Sequence, residues 1–202
     1  MTVRTEINTA TFSIAAESDE EAHAREALLD RAMGPQRIRR SSEKLRHGRK
    51  PSEGLAFVAR DGAGSLIGTV RLWDVDAGGV HALLLGPLAV DPLWEGVGVG
   101  SALMRHAISE ATRLRHRAIL LVGDAPYYAR FGFCADKTGT LAMPGPYERH
   151  RLLALEIREG ALDGATGKIA ATGRRLKRQK SESSPAVTCG GCEIDSVAST
   201  SA

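Results

Sequence analysis

The sequence predicts a mixed α/β (α+β) domain with helices flanking a central sheet, and three observations carry that prediction. Apolar runs of strand length alternate with segments of helical period. Two of these runs, Leu55–Arg60 and Leu66–Trp73, are separated only by Asp61-Gly-Ala-Gly64, which reads as a hairpin. A longer run, Val80–Val90, enters a glycine-rich turn and a helix, and returns as the compact run Ala118–Val122. A strand–helix–strand connection of that length places the two strands parallel at the centre of the sheet.

Each element has its own local reason. Thr11–Ala15 alternates as a short first strand. Ser18-Asp-Glu-Glu21 has the spacing of a capping box, and the helix it opens should stop at Gly34-Pro35. Arg37–His47 reads as a second, strongly basic helix, and Asp76-Ala-Gly-Gly79 as a turn. Gly86-Pro87 interrupts the long strand. Proline cannot donate to a ladder, so a kink or bulge is expected there. The helix after the turn, about Gly98–Arg115, places Leu103, Ala107, Ala111 and Leu114 on one face. Pro126–Phe131 can form a short helix ended by Gly132. A short strand near Phe133–Asp136 and a last strand at Arg151–Ile157 complete the expected elements.

After about Gly160 apolar periodicity gives way to Gly, Ser, Thr, Ala and basic residues. The expected organisation is therefore one domain over residues 1–160 and a disordered tail over 161–202. The 202 residues suffice for one sizeable core, and 43% hydrophobic and 25% charged residues are ordinary for a soluble chain. A net charge of +3 does not point to nucleic acid. Between Arg37 and Lys50, however, there are seven Arg or Lys residues and one Glu, and a second basic run spans Arg174–Lys180. Both read as solvated basic surface, and nucleic acid is not an expected partner.

Met1–Thr11 lacks the apolar core of a signal peptide, and no run reaches the ~18–20 apolar residues of a membrane-spanning helix. Three cysteines, Cys134, Cys189 and Cys192, do not make a disulfide framework, which fits a reducing cytoplasm. Cys189-Gly-Gly-Cys192 finds no second pair of ligands to close a zinc site, so no metal is expected.

The most informative segment is Val90-Asp-Pro-Leu-Trp-Glu-Gly-Val-Gly-Val-Gly-Ser101. Glycines at 96, 98 and 100 let the backbone turn tightly and leave room for a ligand against it. Free amides at the start of the following helix, with its dipole behind them, form an anion site. The segment lacks the lysine of a Walker loop. It also misses the last glycine or alanine of a dinucleotide fingerprint.

Glu95-Gly-Val-Gly98-Val-Gly100 resembles the Gln/Arg-x-x-Gly-x-Gly/Ala motif of the GNAT acetyltransferases, departing from it at Glu95. Tyr127-Tyr-Ala-Arg-Phe-Gly-Phe133 is similar to the family's Tyr-x-x-x-Gly-Phe, with Tyr128, Gly132 and Phe133 at the matching positions. Leu88-Ala-Val-Asp-Pro92 resembles the strand before the family's loop. The likeness covers about residues 10–158, and Gly68–Trp73 and Pro144-Gly-Pro146 look like one bacterial subgroup.

The resemblance implies the acyl-CoA N-acyltransferase fold, in which the two parallel central strands splay apart. It implies acetyl-CoA as the acetyl donor. The pantetheine arm would lie in the gap against main chain at Leu88, Ala89 and Val90. The diphosphate would sit on amides of Gly96, Val97, Gly98, Val99, Gly100 and Ser101. A main-chain amide near Leu88–Val90 would polarise the thioester carbonyl. Tyr128 would protonate the leaving thiolate, with Tyr127 as the alternative donor.

The base is not identified. His81 is a candidate at the strand's far start, and a water chain or an acceptor arriving as free amine are the others. The expected function is acetyl transfer to a primary amine of a small molecule or protein, by direct attack in a ternary complex. The competing reading is a non-catalytic acyl-CoA-binding module. The family's habit of pairing leaves a homodimer open, and Glu95 beside a diphosphate should weaken binding by about 1 kcal/mol.

Overall fold

The computed structural model describes residues 11–176. Strands β1 (Phe12–Ala16), β2 (Ala56–Asp61), β3 (Leu66–Ala77) and β4 (His81–Val90) pair antiparallel in chain order. β5 (Ala118–Val122) joins β4 in parallel, as its crossover predicts. The two-residue β6 (Leu141–Ala142) stands off this path, β7 (Leu152–Glu156) pairs antiparallel with β5, and β8 (Gly167–Ala171) pairs with both β3 and β6. The helices are α1 (Ala22–Met33), α2 (Glu43–Arg46), α3 (Val99–Arg113) and α4 (Ala125–Ala129).

Period-two alternation along the strands splits the core into two layers. Leu83, Leu85, Ile119, Leu121 and Leu153 face one way and pack under Val99, Leu103, Met104, Ala107 and Ala111 of α3. Ala82, Leu84, Ala118, Leu120, Leu152 and Ala154 face the other way and meet Leu45, Met143, Leu162 and Ile169. Gly68 lets α3 lie close on β3: a methyl group there would stand 2.9 Å from Leu103 Cδ1 and Val99 Cγ1. α1 rests on β3 and β4. The Glu17 carboxylate, 3% exposed, ties the end of β1 to α1 and β3 by pairing with Arg25 and Arg71. Among the described residues, no helix is long and apolar enough to cross a membrane.

The structure departs from the sequence expectations in four places. Arg37–His47 is not one helix. A 3-10 turn (Pro35–Arg39) is followed by extended backbone at Arg40 and then the single turn of α2. α3 ends at Arg113, so Leu114 lies beyond its buried face and is 36% exposed. The strand expected near Phe133–Asp136 is a single bridge from Cys134 to Ala154. The tail expected from residue 161 onward does not begin there. Ala161, Leu162, Ala165 and Ile169 are buried in the second core layer, and β8 extends the sheet through Val75–Ala77 of β3. Cys189, Cys192 and the end of the Arg174–Lys180 run lie outside the described residues.

Candidate active site

Ladder partners between β4 and β5 occur only at Leu83–Ile119 and Leu84–Leu120. Beyond them β4 runs on to Val90 beside β3, while β5 runs to Val122 beside β7. The two central strands therefore separate after a short common stretch. The divergence begins at an irregularity in β4, where the register passes from Leu72–Leu85 to Val70–Leu88. One extra residue of β4 is absorbed there, at Gly86-Pro87, whose peptide bond is cis. The interruption foreseen from the proline is thus a bulge.

The bulge determines which main-chain groups face the gap. The Asp91 N–H donates to the Ile67 carbonyl of β3 at 2.8 Å. By alternation Ala89 also turns its N–H and C=O to β3, while Leu88 and Val90 turn theirs toward the gap. Of the three residues expected to border a pantetheine arm, two present free main chain there and Ala89 is committed to the neighbouring strand.

The turn after β4 is built by local bonds. Asp91 Oδ1 accepts from the Leu93 N–H at 3.1 Å, and the Asp91 carbonyl accepts from the Trp94 N–H at 2.8 Å. The Glu95 N–H reaches the Pro92 carbonyl at 3.4 Å, and the next amide with an internal acceptor is Ala102, to Gly98 at 3.0 Å. Among the described residues, nothing accepts from the amides of Gly96, Val97, Gly98, Val99, Gly100 or Ser101. Gly96 and Gly98 have φ of 78° and 96°, where a side chain would be strained, and the space around each is open. The Val99 side chain is buried beneath α3, while Val97 and Glu95 are exposed. Among the described residues the Glu95 carboxylate has no ion-pair or hydrogen-bond partner, and the residue directly precedes those amides in the chain.

Where the strands part they leave a cleft of ≈ 920 Å³. Its walls include Leu85–Leu88 of β4, Leu121–Asp124 at the end of β5 and just beyond it, Tyr127 and Tyr128 of α4, and residues from the α1–α2 connection. Tyr128 packs edge-on against Tyr127 and Phe133, at ring distances of 4.9 and 6.1 Å. Its ring covers Gly123 so closely that a methyl group there would stand 2.1 Å from Tyr128 Cε2. Burial, seconded by Tyr127, pushes the Tyr128 phenol up to about 12, against the opposing pull of Arg151 and Arg40. The Tyr127 hydroxyl instead lies against Gly100, 3.2 Å from where a side chain on that glycine would begin. Both tyrosines border the cleft, Tyr128 the more enclosed and Tyr127 nearer the glycine turn. His81 sits at the exposed start of β4 and is not part of the cleft wall.

The cleft wall is also charged. Arg37, Arg40, Arg46 and Arg151 line it, with Glu43, Asp124 and Glu148 as the acids. The density of bases between Arg37 and Lys50 was the available signal, but a helix drawn through that run turned its cations to solvent. Gly123 gave no signal at all, because its importance lies in Tyr128 crossing over it. Among the described residues, no cluster of His, Cys, Asp or Glu could hold a metal ion.

Comparisons with known proteins agree with this geometry. Residues 52–135 match the model of the acetyltransferase (GNAT) domain family. The chain is 30% identical over 117 residues to the uncharacterized N-acetyltransferase YhbS of Escherichia coli K12, covering 57% of this chain and 70% of that protein. A solved structure of Escherichia coli YhbS in complex with CoA superposes with a TM-score of 0.69 at 26% identity, over 81% of this chain and 91% of that one. A GNAT acetyltransferase from Brucella melitensis, solved with acetyl-CoA, has the same fold, with a TM-score of 0.60 at 24% identity over 81% and 97% of the two chains.

Proposed function

Because the chain belongs to the GNAT acetyltransferase family, we propose that it transfers the acetyl group of acetyl-CoA directly to a primary amine held in the cleft between β4 and β5. The observation that carries this reading is the row of uncommitted amides at Gly96–Ser101 beside an opened pair of strands. Six N–H groups converging at the start of α3 fit a diphosphate, and the helix dipole adds to their field. The outward main chain of Leu88 and Val90 fits an arm lying in the gap. Co-substrate and protein are thus complementary in both charge and shape.

Acetyl-CoA supplies an acyl thioester already activated toward an amine. The chain's own contribution is to hold, polarise and manage protons. Amides of the glycine turn bind the diphosphate. A main-chain N–H at Leu88 or Val90 polarises the acyl oxygen in oxyanion-hole fashion. Tyr128 keeps its proton at Oη throughout the neutral range and donates it where thiolate charge develops. No cleft residue is assigned as base: the amine enters neutral, or loses its proton to water. The acceptor dependence kcat/KM should then rise with pH toward each acceptor's own amine pKa, and shift when the acceptor is changed. A limb that stays fixed for acceptors of different basicity would instead reveal a side-chain base.

Calorimetry with acetyl-CoA, followed by a thiol-release screen over primary amines, tests the whole proposal. Micromolar binding together with acceptor-dependent release of CoA is the expected result. Binding with no turnover on any amine would leave a non-catalytic acyl-CoA module, and absence of binding would remove the reading.

A further inference from the structure

Arg46 is placed unlike any other cation of the cleft. It comes from α2, is 8% exposed, and reaches the wall formed by the β4 bulge. Its Nη1 stands 3.5 Å from the position a side chain on Gly86 would take. Nη2 donates to Ser42 Oγ at 3.2 Å and pairs with Glu43 Oε2 at 3.1 Å. Its Nε is buried and, among the described residues, has no hydrogen-bond partner. Burial pulls this guanidinium below its ordinary value, Glu43 opposes that, and Arg40 and Arg37 add to it. An arginine nonetheless stays protonated, and its Nη1, unlike the enclosed Nε, is accessible and has no hydrogen-bond partner among the described residues, so the chain holds a cation with unused donor capacity at its cleft.

The neighbouring acids satisfy it only in part, since Glu43 pairs with Nη2 and leaves Nη1 open. Arg37 is occupied by Glu26 at 2.5 Å and Asp30 at 2.9 Å, and Glu43 is the ion-pair partner of Arg46 itself. Among the described residues Arg40 has no ion-pair partner, and the Arg151 side chain spends only its Nε, on the Gly123 carbonyl at 3.3 Å. The remaining acids, Asp124 and Glu148, are exposed, and Glu148 lies 3.4 Å from His150. No residue of the 91–101 turn belongs to the cleft wall. The spare cations are therefore separate from the amides that would hold a diphosphate.

We propose that this cleft takes an acceptor amine bearing a carboxylate or phosphate group, with Arg46 as the anchor for that oxyanion and Arg40 and Arg151 as outer cations. The proposal rests on the transferase reading given above for its word acceptor, but the anion site stands on its own geometry. Planar guanidinium donors match two oxygens of a carboxylate or phosphate, and a desolvated cation gains most from such a partner.

Titration calorimetry with matched probes decides the matter. The pairs are 4-aminobutyrate against 4-aminobutanol and aminoethyl phosphate against ethanolamine, measured with and without acetyl-CoA. The anionic member should bind at least about tenfold more tightly than its neutral counterpart, and the two pairs show which oxyanion is preferred. Arg46→Met should remove that preference while leaving acetyl-CoA affinity unchanged. Arg151→Ala, at an exposed position, should reduce it in the same direction without risk to the core. Equal binding within both pairs, or an anion preference that survives Arg46→Met, overturns the proposal. Loss of acetyl-CoA binding in the wild type would strike the transferase reading alone, because the anion titration is read without it.

Discussion

Tyr128 is the residue on which the proposed chemistry turns, and its surroundings explain why it still holds a proton to give. The ring lies over Gly123 and against Tyr127 and Phe133, and that burial holds the phenol protonated up to about 12. A raised pKa means the acid form persists further into alkaline solution than for a free phenol. The rate constant kcat should therefore not fall between about pH 9 and 10.5, and a falling limb centred near 10 would contradict an enclosed phenol. Tyr128→Phe should lower kcat by about a hundredfold or more with acetyl-CoA affinity retained. Gly123→Ala should have the same signature, because its methyl group must displace the ring. If Gly123→Ala is lost while Tyr128→Phe remains fully active, the tyrosine packs rather than reacts. Tyr128 was singled out in the sequence through the resemblance of Tyr127–Phe133 to the family's Tyr-x-x-x-Gly-Phe motif. Gly123 and Arg46 were not, since each owes its importance to an atom brought over it from elsewhere in the chain.

At the scale of elements, the glycine turn and the strand before it were readable, and the α1–α2 connection was not. Glycine and proline act locally: positive φ at Gly96 and Gly98 and the bulge at Gly86-Pro87 follow from what those residues permit or lack. A basic run has no such local signature. Arg37–His47 is divided at Ser41-Ser42, where Ser42 becomes the N-cap of α2, and α2 buries Leu45 and Arg46. The turn also carries a testable oddity. Glu95 places an unpaired, exposed carboxylate beside six free amides. Glu95→Gln should tighten acetyl-CoA binding about fivefold at low ionic strength, the equivalent of about 1 kcal/mol. That gain should shrink as salt screens the charge. Calorimetry at two salt concentrations measures it, and unchanged affinity at both would mean the carboxylate is turned away from the diphosphate.

For the molecule as a whole, the sheet does not end where apolar periodicity ends. Residues 161–176 contain few large apolar side chains, which is why composition assigned them to a tail. Small residues nevertheless pack when the surface opposite is flat and close. Gly78 approaches the Thr166 backbone so nearly that a methyl group would lie 2.2 Å from its carbonyl oxygen, and Ile169 is 1% exposed beneath β3. That docking is long-range in sequence, so no local pattern could announce it. The second core layer should therefore depend on a segment remote from the chemistry, since no residue of 161–176 lines the cleft. Ile169→Ala should cost about 2–5 kcal/mol in urea unfolding, and Ile169→Asp more, as a charge is left without a partner. Gly78→Ala should also destabilise, because backbone rather than a flexible side chain must yield. A chain ended after Gly160 should unfold at lower temperature still, with the β8-facing edge of β3 uncovered. For the two Ile169 variants and Gly78→Ala, acetyl-CoA affinity measured well below Tm should match the wild type. Denaturation midpoints left in place by Ile169→Asp would mean that β8 contributes nothing to holding the two layers together, and the domain would then close at β7.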